Sequence, residues 1–291
     1  MASKSAEQSY HAHITRKKIV RYIVLIFLAI LCIFPFYVLI INATHFTDEI
    51  QSGRLMLLPG GWFFKNLKNT MNDGTIPVLR GLLNSMLIAI GCAVCTTYSS
   101  TLTAYAVHAY DFPGRKAVKT FIMAVMMIPT QVTALGFYDL MKTFGLLNNY
   151  IPLIVPTIAA PVVYFFMLQY MQGALPLEIV EAARIDGSNE FRTFNSIVLP
   201  IMKPAIAVQA IFAFVTSWNN YFTPNLIIQS NRTDLYTLPI IIAVLRNANF
   251  LSFDMGKIYM AMFIAIVPVI IVYLFLSRYI IQGVAVGSVK G

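Results

Sequence analysis

Glu181-Ala182-Ala183-Arg184-Ile185-Asp186-Gly187, with Ile197-Val198-Leu199-Pro200 beyond it, is a polar island in an apolar chain. Residues 143–177 before it and 204–231 after it contain no Asp, Glu, Lys or Arg. A charged, partly helical insert between two such runs stays in water while its flanks enter lipid. A soluble partner could use such an insert as a handle on a membrane protein.

The same segregation runs through the whole sequence. Of 291 residues, 58% are hydrophobic and 11% charged, whereas soluble domains carry roughly a quarter charged residues. Six stretches lack Asp, Glu, Lys and Arg: 22–47, 81–110, 120–138, 143–177, 204–231 and 258–277. Each reaches the roughly 18 residues of a membrane-spanning helix. Helices are expected because lipid offers no partner to an open backbone group. The reading is an all-α membrane protein with six transmembrane helices, near 20–42, 82–107, 118–139, 150–172, 203–226 and 258–280. The first run is longer than a signal-peptide core and lacks a clean small-x-small site, so it reads as an uncleaved span.

The net charge of +9 fits headgroup contact and topology better than nucleic acid. With both termini in the cytoplasm, the inside segments (1–21, 108–119, 172–203 and 278–291) hold 13 Lys and Arg against 8 outside. The local signals are Arg16, Lys17, Lys18 and Arg21 before span one, and Arg115, Lys116 and Lys119 before span three. The domain reading follows: a cytoplasmic N-terminal tail over 1–18, a six-span domain over 19–281, and a cytoplasmic C-terminal tail over 282–291. His11 and His13 lie in the first tail without a third ligand, so no metal site is expected. Cys32, Cys92 and Cys95 fall in predicted spans and read as small packing residues.

The insert at 176–200 reads as helix, turn, helix. Pro176 suits a first helical position, and Gly187 suits a stop. Ser188 can cap a second helix with Glu190 in its first turn, and Pro200 ends the unit. Glu181 and Arg184 can pair at i, i+3, while Ala182 and Ala183 keep one surface flat. The alternative is a solvated connector. Gly91, Cys95 and Ser99 recur every four residues in span two, spacing that lets helices approach closely. Pro129, Pro152, Pro156 and Pro161 predict breaks in spans three and four, either moving or static. In span five, Thr216, Ser217, Trp218, Asn219, Asn220, Tyr221, Thr223 and Asn225 form the densest polar cluster. Such residues face a cavity or another helix. Trp218, Asn219, Asn220 and Tyr221 could line a substrate path, or serve as helix-to-helix glue.

Glu-Ala-Ala, three residues, Gly, nine residues and Ile-x-Leu-Pro together match the signature loop of binding-protein-dependent ABC importer permeases. The chain resembles the maltose-type sugar importers, in particular their smaller permease subunit. Trp218-Asn219 and the terminal Gly287-Ser288-Val289-Lys290-Gly291 support the resemblance. Asn220 departs from it, standing where many relatives carry an acid. The resemblance implies that Glu181, Ala182, Ala183, Arg184, Asp186, Gly187, Leu199 and Pro200 couple to a cytoplasmic ATPase, and that 287–291 reach between two ATPase subunits. It implies ATP and magnesium on that partner and no cofactor in this chain. It further implies a second permease subunit, an extracytoplasmic solute-binding protein and a sugar or oligosaccharide cargo. The location implied is a bacterial or archaeal plasma membrane.

Other classes fit less well. An ion-coupled transporter needs charges deep in the membrane, and the six runs hold none. A membrane enzyme needs paired carboxylates or H-E-x-x-H, and neither occurs in the spans. Without a Walker lysine motif, this chain is not expected to hydrolyse ATP. A permease for peptides, amino acids or phosphate is the nearest rival.

Overall fold

The computed structural model describes residues 2–74, 76–129, 132–247 and 254–288, with side chains between 18 and 275. Among the described residues every regular element is helical. The chain opens with α1 (Ala2–Asn42), α2 (Thr47–Gln51) and α3 (Phe63–Met71). The long α4 (Val78–Ala109) follows, then α5 (Arg115–Val125) and α6 (Ala134–Thr143). Next come α7 (Ile151–Ile154), a 3-10 turn (Val155–Ile158) and α8 (Pro161–Ala174). The polar insert forms α9 (Leu177–Ile185) and α10 (Glu190–Thr193), continued by a π turn (Phe194–Val198) into α11 (Leu199–Ile201). Last come α12 (Lys203–Trp218), α13 (Phe222–Ile227), α14 (Leu238–Arg246) and α15 (Met255–Ser288).

Two compact units divide the chain. The first takes in Met1–Thr70 and Asn249–Phe263. α1 starts inside the segment read as a polar tail, and its Lys18–Asn42 part is long and apolar enough to cross a membrane. Ile23, Phe27 and Ile33 stand exposed around it, as suits a helix sheathed in lipid. The turn after α1 is tied by buried polar groups. Asn66 Nδ2 donates to the carbonyls of Ala43 (3.0 Å) and His45 (2.8 Å), and the Gly60 amide donates to Thr44 Oγ1 (2.7 Å). Gly256 lies so close to Asn66 that a Cβ there would meet its amide at 2.9 Å.

The second unit takes in Met71–Ala248 and Ile264–Gly291 and is built on α4, flanked by α12 and α8. Its break between α7 and α8 is where the prolines predict one. Proline removes an amide donor and leaves carbonyls free, and α4 supplies replacements. Cys92 Sγ donates to Leu153 O (3.2 Å), Thr96 Oγ1 to Thr157 O (3.0 Å) and Ser99 Oγ to Ile158 O (2.8 Å). Gly91, next to Cys92, admits Ile154, and a Cβ there would sit 3.1 Å from that side chain. The small-residue spacing of span two is therefore packing within this chain.

The predicted spans need correction in detail. Among the described residues four helices are long and apolar enough to cross a membrane: Lys18–Asn42, Val78–Ala109, Ile151–Ala174 and Met255–Phe275. Glu190–Ile201 with Lys203–Trp218 makes a fifth if a pair bent by 81° counts as one. The run over 118–139 forms two helices, α5 ending at Val125 and α6 starting at Ala134, a break where Pro129 predicts one. The run over 203–226 ends as a straight helix at Trp218 and resumes as α13.

Candidate functional site

Pro176, in extended conformation, precedes α9 instead of beginning it. At the other end the Asp186, Gly187 and Ser188 amides donate to Ala182 O, Arg184 O and Ala183 O at 2.9–3.0 Å. Gly187 has φ +78, a left-handed value that glycine adopts without Cβ strain. This is the Schellman arrangement that satisfies the last carbonyls of a helix. Asn189, not Ser188, caps the next helix: its Oδ1 accepts from the Arg192 amide at 2.8 Å. Ser188 accepts instead from Thr193 Oγ1 at 2.9 Å, closing the turn from inside.

Arg184 pairs with Glu190 across that turn, not with Glu181. Its Nε donates to Glu190 Oε1 at 2.9 Å, and its guanidinium lies 5.0 Å from the Tyr110 ring centroid. Glu190 Oε2 accepts from the Tyr105 hydroxyl at 3.1 Å. Hydrogen bonding from Tyr110, then from Arg184 and Tyr105, outweighs burial and holds the Glu190 carboxyl below its usual range. The two helices of the insert are thus clamped to each other and to the end of α4.

Apolar residues weld the insert down. Val180, Phe194, Val198, Met202 and Ala205 join one core with Ala104, Tyr105 and Val107 of α4 and with Tyr164, Met167, Leu168 and Met171 of α8. Ala183 is buried as well, so only Ala182 of the alanine pair keeps the outer surface flat. The insert runs on past Pro200 to Ile201, and Met202 carries the bend into α12.

Glu181, Ala182, Arg184, Asp186, Gly187 and Pro200 lie on the outside, and Leu199 is half-buried. Between them stand two apolar side chains that the sequence reading did not select: Ile185, 87% exposed, and Phe191, 75% exposed. The signal was present, since both are large apolar residues inside the charged island. The 3.6-residue period turns Ile185 away from the buried Val180 and Ala183.

The four path residues do not form one surface. Trp218 is 2% exposed, stacks on Phe214 and donates from Nε1 to Ala265 O at 3.0 Å. Asn220, one residue ahead of the N-cap Tyr221, ties down the first turn of α13: its Oδ1 accepts from the Thr223 amide and its Nδ2 donates to Thr223 Oγ1, both at 3.2 Å. It also borders a cavity of about 1050 Å³ lined by Thr133, Phe137, Thr157, Phe222 and Thr223. Asn219 and Tyr221 are exposed. Of the terminal motif, Gly287 and Ser288 close α15, while Val289, Lys290 and Gly291 lie outside the described residues.

These features define a multi-pass helical membrane protein with a rigid polar helix pair between two apolar segments. Residues 99–286 match the family described as binding-protein-dependent transport system inner membrane component, and the chain belongs to that family. It is 33% identical over 269 residues to the arabinooligosaccharides transport system permease protein AraQ of Bacillus subtilis, covering 91% of this chain and 92% of AraQ. It is 31% identical to the lactose transport system permease protein LacG of Rhizobium radiobacter, covering 94% of this chain and 96% of LacG. Its fold matches a chain of a bacterial ABC transporter that imports the acidic polysaccharide alginate. That match has a TM-score of 0.77 at 22% identity, over 90% of this chain and 95% of the other.

Proposed function

We propose that this permease forms half of the translocation path of an ATP-driven importer for a sugar or oligosaccharide. A second permease subunit supplies the other half, and two separate ATPase subunits hold the ATP and magnesium. An extracytoplasmic binding protein delivers the cargo. In this reading six membrane passages place both termini in the cytoplasm, with α5 and α6 together making one passage and α12 and α13 another. The tail over 1–18 and the tail over 282–291 flank a single domain over 19–281. Residues 176–200 are its cytoplasmic coupling loop.

The observation that carries the reading is the helix pair 177–201. It is welded to α4 and α8 from beneath and offers Ile185 and Phe191 outward. A soft loop would absorb a push. A knob whose hydrophobic root is shared with two long helices transmits it, because packed interiors resist deformation. Closure of the ATPase pair on ATP would carry the knob as a rigid body. The helices behind it would then favour the outward-open state, which the loaded binding protein also prefers. Hydrolysis would reset the cycle. The sugar cargo is supported by the arabinooligosaccharide and lactose systems to which the relatives belong.

The test is uptake by the assembled complex in vesicles, with ATP inside and loaded binding protein outside. Saccharide uptake that requires both is the expected result. Uptake by this chain alone, or driven by an ion gradient without ATP, contradicts the mechanism. Stimulation only by a peptide-, amino acid- or phosphate-loaded binding protein contradicts the cargo.

A further inference from the structure

α4, α5 and α8 border two half-open cavities, one beyond the other along these helices. The outer one, about 620 Å³, is lined by Arg115, Lys116, Lys119, Asp111 and Gln172 above Leu168. The inner one, about 330 Å³, is lined by Phe121, Ile122, Val125 and Pro161, with Ser100 and Tyr164. Gln172 and Tyr164 lie eight residues apart on α8, about 12 Å along its axis. Taken together as one crevice, they run from a cationic mouth to an apolar interior within the depth of one lipid headgroup and its upper chains.

Both cavities contain polar groups that this chain does not use up. Arg115 is largely committed: Nε donates to Val107 O at 2.7 Å, one terminal nitrogen donates to His108 O at 3.2 Å, and the other lies 3.8 Å from Asp111. Lys116 and Lys119 have no carboxylate within ion-pair distance among the described residues. α5 also begins at Gly114 without a side-chain cap, so the positive end of its dipole opens at the same mouth. Deeper in, Ser100 is 2% exposed and Tyr164 3%. Neither hydroxyl has a hydrogen-bond partner among the described residues. Two unpaired buried hydroxyls behind the wall of one apolar cavity call for an acceptor that reaches them as the cavity fills.

We propose that this crevice binds an anionic phospholipid. Lys116 and Lys119 hold the phosphate with Arg115 behind them. Tyr164 and Ser100 donate to the ester oxygens, and the acyl chains lie along Phe121, Ile122 and Val125. Basic pockets between membrane helices take anionic headgroups in this way. The lipid would fasten α5 against α8. Phe112 and Ile122 already touch the core that roots the helix pair 177–201. The inference rests only on these helices lying in a membrane with residues 111–119 at headgroup level, and not on the transport reading.

The test uses the full-length protein in mild detergent, with native mass spectrometry of retained phosphatidylglycerol and phosphatidylcholine. Phosphatidylglycerol should be retained preferentially. Lys116→Gln with Lys119→Gln should lower its retention about thirtyfold and erase the preference. Tyr164→Phe with Ser100→Ala should lower retention of both lipids about five- to tenfold while keeping the preference. Both double variants should melt like the parent once lipid is stripped, and should gain less on adding phosphatidylglycerol. Equal retention of the two lipids in the parent overturns the proposal, as does indifference to the lysine pair. Loss of phosphatidylglycerol to millimolar inorganic phosphate, with no effect of the hydroxyl pair, assigns the mouth to a free anion and also overturns it. Lipid retention unchanged by the hydroxyl pair leaves those groups to water and removes the ester contact on which the proposal depends.

Discussion

The helix pair 177–201 and the polar stretch 216–225 are two places where this apolar chain gathers hydrogen-bonding side chains, and they use them differently. In the helix pair many polar groups are spent on one another. Arg184, Glu190, Tyr105, Asn189 and Thr193 fix the turn, and the apolar Ile185 and Phe191 stand outside among the exposed Glu181, Asp186 and Arg192. In 216–225 the order is reversed. The large aromatic Trp218 goes inside and Asn220 is absorbed by the first turn of α13, while Asn219 and Tyr221 remain open. Polarity in the sequence located both regions. Which side chains are left over after the fold has used the rest decides what each region can do.

The first way to break this comparison is at the turn of the helix pair. Gly187→Asp should abolish ATP-dependent uptake while leaving membrane insertion intact. Position 187 has open space around it, so the damage comes from forcing a Cβ into φ +78, roughly 1–2 kcal/mol, and from placing charge on the docking face. Wild-type uptake by that variant would mean the turn does not couple.

The second sharpens the claim that the leftover apolar residues make the contact. Ile185→Ser with Phe191→Ser should weaken association with the ATPase about thirty- to a hundredfold, each buried side chain being worth roughly 1.5–3 kcal/mol less the costs of docking. The melting temperature should hardly move, because both residues are exposed. Binding assays and thermal melts on the same preparation separate the two effects.

The third concerns Trp218. Trp218→Phe removes the bond to Ala265 O and should cost about 1 kcal/mol of stability, with substrate range unchanged. A changed range at constant stability would return Trp218 to the path. The fourth is a pH effect. The Glu190 carboxyl is depressed in the folded state, so its contribution is fully present above its ordinary value of 4.5. That contribution fades as pH falls through the lowered value. Amide protection across 184–193, taken relative to the intrinsic exchange rate at each pH, should therefore fall on acidification below about 4.5 in the parent and stay flat in Glu190→Gln. The clamp is partly exposed, so the total is under about 1 kcal/mol. The smallest effect is expected at Asn219→Leu: a shift in relative uptake between saccharides with little change in the best one. An unaltered range would leave Asn219 outside the path.

Particular residues show how far the sequence could be read. Gly187 was legible as a helix stop because only glycine takes the left-handed turn without strain. Its neighbours were legible only to within one residue. Ser188 and Asn189 are equally good caps by type, and their tertiary partners decided which one acts. Arg184 has an acid three residues away and another six residues away, and the fold-back at Gly187 made the farther one the partner. The prolines of span four announced a break. The donors that heal it lie 59 to 61 residues away on α4, a distance no local pattern reaches. In span three Pro129 likewise announced the break that parts α5 from α6, though not how many residues it takes up.

The most direct test of the account is a crosslink between the helix pair and the ATPase. Ile185→Cys and Phe191→Cys, placed in a background lacking Cys32, Cys92 and Cys95, are reacted in the assembled transporter with cysteines scanned across the ATPase surface. The account predicts crosslinks from both positions to one cleft of the ATPase, protected from labelling reagents that cannot cross the membrane. Labelling of either position from the extracytoplasmic side, or an assembled and active transporter in which neither position reaches the ATPase, would contradict it.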